Sequence, residues 1–133
     1  MKEKLLNELN NSYSPYSKFR VAAICKMKDG KEFLGTNVEN ASYGAAICAE
    51  RVAITSAIAN GYKKGDFDEL YVMVDSGKIS SCCFICRQVI SEFFDKTSKI
   101  ILMSNNGNEE IHTVEELCPL PFDEEDLKWK VVL

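Results

Sequence analysis

Cys48-Ala49-Glu50-Arg51 and, further along the chain, Cys83-Phe84-Ile85-Cys86 are the stretches from which the rest of the sequence can be read. Three thiols and one carboxylate at this spacing are the parts of a catalytic metal site. Two cysteines at C-x₂-C spacing take adjacent corners of a tetrahedron and Cys48 supplies a third sulfur. The fourth corner stays open for water, the arrangement of catalytic rather than structural zinc. Glu50, two residues after Cys48, can stand beside that corner and move protons without being a ligand.

Both segments sit where helices should begin. A helix N-terminus carries about half a positive charge and unsatisfied N–H groups, which favour thiolate over thiol. Three thiolates around Zn²⁺ leave a net charge of about −1 and a weakened Lewis acid, so charge has to be drawn off the sulfurs. Arg51, after Glu50, and Arg87, after Cys86, are the available donors, acting on the thiolates from just outside the ligand set.

A length of 133 residues predicts one domain spanning 1–133 with a proper core, and 46% hydrophobic and 27% charged residues are ordinary for a globular protein. Sixteen basic against twenty acidic side chains give a net charge of −4, with no basic run longer than Lys63-Lys64. That balance suits a small substrate better than a nucleic acid. The first residues lack a signal-peptide core and no run approaches a membrane span, so a cytoplasmic protein without membrane contact is expected. In a reducing compartment the six cysteines are read as free thiols or metal ligands.

Leu5, Leu6 and Leu9 predict a short amphipathic helix over 2–10, broken by Ser14-Pro15. Strands follow at 19–26 and 32–37, joined through Lys28-Asp29-Gly30-Lys31, a strong hairpin signal. The Ala- and Ile-rich stretch 45–60 reads as a buried helix ended by Gly61, and 70–74 as an interior strand. A helix after Cys83, a strand at 100–103, an Asn-Gly hairpin into 110–112 and a helix opened by Thr113 complete the order α-β-β-α-β-α-β-β-α. The expected fold is α/β, a mixed sheet of about five strands with helices packed on it.

A ligand, one spacer, a glutamate and a distant C-x-x-C form the signature of zinc nucleobase deaminases. Tyr13-Ser14-Pro15-Tyr16-Ser17-Lys18-Phe19, Asn37-Val38-Glu39-Asn40-Ala41, Cys48-Ala49-Glu50-Arg51 and Cys86-Arg87-Gln88-Val89 stand in the order and spacing of the short, homotetrameric-type zinc cytidine deaminases. Over residues 12–127 the chain resembles that family. The resemblance implies the cytidine-deaminase three-layer α/β sandwich, one Zn²⁺ per chain held by Cys48, Cys83 and Cys86, and Glu50 as proton shuttle. It implies hydrolysis of cytidine or 2′-deoxycytidine to the uridine counterpart plus ammonia, in pyrimidine salvage. Asn37 and Glu39 would then bind the ribose hydroxyls, Phe19 would lie against the pyrimidine, and the backbone at Ala49 and Ser81–Cys82 would read the base edge. Tyr43 and Phe122 match positions that reach a neighbouring subunit's site. Two departures stand out: Cys82-Cys83-Phe84 replaces the usual Pro-Cys-Gly, and Arg20-Val21-Ala22 follows Phe19 in place of Pro-Val-Gly.

Other readings explain less. A structural zinc would need a fourth ligand from Cys82 or Cys118 and leaves Glu50 and Asn37 without a role. Cys82 rivals Cys83 as a ligand, but the C-x₂-C spacing and the motif register favour Cys83. His112 is expected at the surface, and Cys25 and Cys118 as packing residues. A zinc-stabilised nucleoside-binding module without turnover is the non-enzymatic rival.

Overall fold

The hairpin at Lys28-Asp29-Gly30-Lys31 joins β1 (Val21–Met27) to β2 (Glu32–Thr36) in antiparallel pairing, with Gly30 at the positive φ of 90° that the turn demands. The computed structural model describes residues 1–128; residues 129–133 of the one-domain expectation lie outside the described residues. With β3 (Phe67–Val74), β4 (Phe94–Ser104) and β5 (Glu109–Thr113) the strands form a five-stranded sheet in the order β2-β1-β3-β4-β5. β3 and β4 run parallel, bridged by helix α3 (Phe84–Phe93), and the other neighbours are antiparallel.

Alternation along each strand sends successive side chains to opposite faces and so makes two cores. On one face Ala22, Ile24, Met73, Ile101 and Met103 receive Leu5 of α1 (Lys2–Glu8) and Leu9 of the turn after it. On the other, Ala23, Cys25, Leu70, Val72, Ile100 and Leu102 pack against α2 (Ala49–Ala59), α3 and the short α4 (Val114–Leu117). The result is the expected three-layer sandwich. None of the helices among the described residues is long and apolar enough to cross a membrane.

The first strand starts at Val21 rather than Phe19, and three further boundaries depart from the sequence reading for long-range reasons. Helix α2 starts at Ala49 rather than Ala45, because Val38 and Ile47 exchange backbone hydrogen bonds of 2.9 Å and keep the chain extended up to Cys48. β3 begins at Phe67, where it pairs with Met27. β4 begins at Phe94, whose ring packs on Phe67 at 5.0 Å. Its first half is mostly exposed and so carries no apolar pattern to read. The capping box opened by Thr113 forms as predicted, with both halves present in Thr113 and Glu116.

Gly35 lets β2 approach α2. A Cβ at this position would lie 2.5 Å from the Ala49 carbonyl oxygen and 2.6 Å from the Ala53 nitrogen. The backbone clash cannot be relieved by a rotamer change, and it falls on the first turns of the helix that follows Cys48. Gly35→Ala is therefore expected to destabilise the fold by about 1–3 kcal/mol, measured as a lower urea midpoint at unchanged m-value.

Candidate active site

Cys48 and Cys83 are the N-cap residues of α2 and α3, both in extended backbone just outside the helix, and Cys86 lies one turn into α3. This geometry brings the three sulfurs within 4.8 Å of one another. Cys48 Sγ and Cys83 Sγ are 3.7 Å apart, close to the roughly 3.8 Å edge of a tetrahedron with Zn–S bonds of about 2.3 Å. The donor set therefore fits a zinc ion. Cys86 is buried, Cys48 half-buried and Cys83 exposed. All six cysteines are free thiols, and the buried Cys82 thiol faces Glu50 rather than joining the sulfur cluster.

The sulfurs are polarised unequally. A hydrogen bond from the Cys86 thiol, helped by Arg51 and Cys83, draws the Cys48 thiol down to about 5. The same contact, with burial and the nearby Glu50 carboxylate, holds Cys86 far above the usual thiol range. The Arg51 guanidinium donates to Cys48 Sγ at 3.6 Å and also interacts with Cys86. Charge is thus drawn off two of the three sulfurs by one side chain. Glu50 is only 5% exposed. Burial, and then the negative charge on Cys48, push its carboxyl pKa up, which is the condition a proton shuttle needs.

An inner pocket of about 180 Å³ is lined by Phe19, Asn37, Ala49, Glu50 and Ser81 together with Cys48 and Cys83. An outer groove of about 370 Å³ shares Asn37 and Cys48 with it and adds Glu39, Tyr43 and Ile85. The pocket floor therefore meets the sulfur cluster, and Asn37 stands at the junction of the two spaces. Ala49 is the first residue of α2, so its N–H has no intrahelical acceptor and remains available to the pocket.

The structure adds a role for Asn37 and Glu39 that spacing does not reveal. Asn37 Oδ1 accepts from Ser12 Oγ at 2.5 Å and from the Val21 N–H at 2.9 Å, while its Nδ2 donates to the Phe19 carbonyl at 2.8 Å. Glu39 accepts from the Tyr16 and Ser17 N–H groups at 2.9 and 3.1 Å and from the Ser17 hydroxyl. Together they brace the loop that delivers Phe19, including Lys18 at a positive φ of 61°, a conformation that surrounding contacts must hold in place.

Arg87 lies elsewhere than its expected place at the sulfurs. Its guanidinium donates to the Cys82 carbonyl, the Leu117 carbonyl and the Ser81 hydroxyl, each at 2.8 Å. Tyr43 and Phe122 are exposed in the single chain, and the Phe122 carbonyl accepts from Gln88 Nε2 at 2.7 Å.

A fold of this topology, with sulfurs, carboxylate and pocket at one point, defines a zinc-dependent deaminase. The comparisons agree. Residues 1–104 match the family model described as the cytidine and deoxycytidylate deaminase zinc-binding region, and the chain belongs to that family. It is 38% identical over 131 residues to a cytidine deaminase of Sporosarcina psychrophila, covering 96% of this chain and 95% of that protein. A cytidine deaminase of Halalkalibacterium halodurans is 40% identical over 116 residues, covering 87% and 86%. The crystal structure of cytidine deaminase from Burkholderia pseudomallei superposes with a TM-score of 0.86 at 38% identity, covering 90% of this chain and 94% of that one.

Because Arg51 is the side chain that draws charge from the cluster, Arg51→Ala is expected to weaken zinc retention about tenfold or more while leaving the fold intact. Competition with a chromophoric chelator measures this. Retention equal to the parent would remove Arg51 from the charge balance.

Proposed function

We propose that this chain is a zinc-dependent cytidine deaminase acting on cytidine or 2′-deoxycytidine in pyrimidine salvage, with residues 1–133 forming one catalytic domain. The observation that carries the reading is that the inner pocket is lined by the buried Glu50 and by Cys48 and Cys83, two of the three clustered sulfurs that could hold a metal ion, with Cys86 beside them. Cys48, Cys83 and Cys86 would hold the ion. When bound, zinc supplies Lewis-acid chemistry, making water acidic enough to act as a nucleophile near neutral pH.

Glu50 does the proton work. Its carboxylate takes a proton from the attacking water and delivers it to the ring nitrogen of the pyrimidine. It then passes the second proton to the departing amine, so that cytidine and water leave as uridine and ammonia. The Ala49 N–H and the 81–82 backbone face the base edge, and Phe19 covers the ring. Asn37 Nδ2 keeps one hydrogen, and Glu39 keeps lone pairs, beyond the loop contacts described above. Both can therefore meet a sugar at the junction of pocket and groove.

The same reading makes the enzyme a homotetramer in which Tyr43 and Phe122 reach a neighbour's site. It is supported by their exposure, 83% and 57%, and by the open side of the cluster at Cys83. Metal-binding thiols must stay reduced, which suits the cytoplasm.

Zinc-replete protein is expected to release ammonia from cytidine and to act poorly on free cytosine, which cannot engage Asn37 and Glu39. Glu50→Gln should lower kcat by about 10²–10⁴-fold or more while zinc content and cytidine binding remain. Binding of cytidine without any uridine in the parent protein would leave the nucleoside-binding module as the better description.

A further inference from the structure

The wall of the inner pocket between β3 and α3 has no helix or strand of its own, yet it contributes Ser80 and Ser81 to the pocket and leads directly into Cys83. Cys82 is part of the core and Ile79 packs against it, but hydrogen bonding along the wall is sparse. Among the described residues, apart from the contact between the Cys82 thiol and Glu50, the hydrogen bonds that hold residues 79–82 both come from one side chain, Arg87. Nε of Arg87 donates to the Cys82 carbonyl and Nη2 to the Ser81 hydroxyl, while Nη1 donates to the Leu117 carbonyl at the end of α4. These bonds lie in the plane of the guanidinium, so the hydrogen bonding of the wall is only as fixed as that plane. Phe84, three residues earlier and on the same face of α3, places its ring against the guanidinium, 4.2 Å from its central carbon to the ring centroid. The ring is otherwise 75% exposed, so covering Arg87 is its evident work within the chain.

We propose that Phe84 is a positioning residue: by covering one face of the Arg87 guanidinium it holds the 79–82 wall in register with the inner pocket. A stacked ring leaves the in-plane donors free while opposing tilt of the plane, and an aromatic face provides this where a small side chain cannot. The identity of the pocket's occupant rests on the deaminase reading above; the strut itself does not.

A double-mutant cycle on zinc-loaded protein tests this, read by cytidine kinetics and by amide hydrogen exchange over residues 79–82. Phe84→Ala is expected to raise KM about two- to fivefold, to change kcat by less than about twofold, and to speed exchange across the wall. Phe84→Tyr keeps the stack and should restore both. In an Arg87→Lys background, which retains the charge but loses the three-donor fork, Phe84→Ala should add nothing. A parental value in either readout for Phe84→Ala, a tyrosine that fails to restore, or an undiminished effect beside Lys at 87 overturns the proposal. The last result would mean that Phe84 acts by another route, such as a subunit contact. If the parent protein does not deaminate cytidine, the functional reading fails by itself, and hydrogen exchange alone decides the strut.

Discussion

Two helices that begin at one point are the constraint on which the rest of this molecule depends. The N-caps of α2 and α3 are both cysteines, so the positive ends of two helix dipoles face three sulfurs. Sulfur is a good metal donor only as thiolate, and packing three thiolates together is unfavourable without compensating charge. The helix ends and Arg51 supply that compensation from the backbone and from one turn of α2. The sheet exists, in functional terms, to hold those two helix ends together. α2 is pressed on β2 through Gly35, and α3 is the crossover between the parallel strands β3 and β4.

Around this centre the pocket is assembled from pieces that have little structure of their own. Phe19 arrives on a loop, Ser81 on an irregular wall, and Asn37 and Glu39 from just beyond the end of β2. Side-chain hydrogen bonds secure the Phe19 loop and the Ser81 wall, while backbone bridges to Tyr13 and Val21 help hold Asn37 and Glu39. Arg87 secures the wall, Asn37 and Glu39 secure the Phe19 loop, and paired contacts between Arg20 and Asp75 tie the start of β1 to the end of β3. Rigid elements thus place the sulfurs that could hold a metal ion, while side-chain hydrogen bonds place the groups that would read a substrate.

That division explains how much of the molecule could be read from residues alone. The strands of the first hairpin announce themselves by strand-like runs on either side of an Asp-Gly turn, and the sulfur cluster by C-x₂-C spacing beside Cys-x-Glu. These are local signals, and the structure follows them. The start of α2 is not local, since it depends on Ile47 pairing with Val38. The polar first half of β4 gives no periodic signal because its side chains face solvent. Its place directly after Cys86 directs Arg87 toward the sulfurs, but a long side chain turns toward whichever acceptors the fold brings near. Here those are carbonyls of Cys82 and Leu117, from two segments far apart in sequence. The bracing by Asn37 was equally invisible, as its partners Ser12, Phe19 and Val21 lie well before it in the chain.

The double duty proposed for Asn37 and Glu39 has an evolutionary corollary. Side chains that fasten a neighbouring loop and would also meet a sugar cannot be retuned for a new ligand without also loosening the part that carries Phe19. Descendants adapting to altered nucleosides would meet less resistance by changing the groove around Ile85, whose side chain is exposed and fastens nothing comparable. Divergence in this lineage should therefore accumulate on the outer rim while the two bracing positions stay frozen.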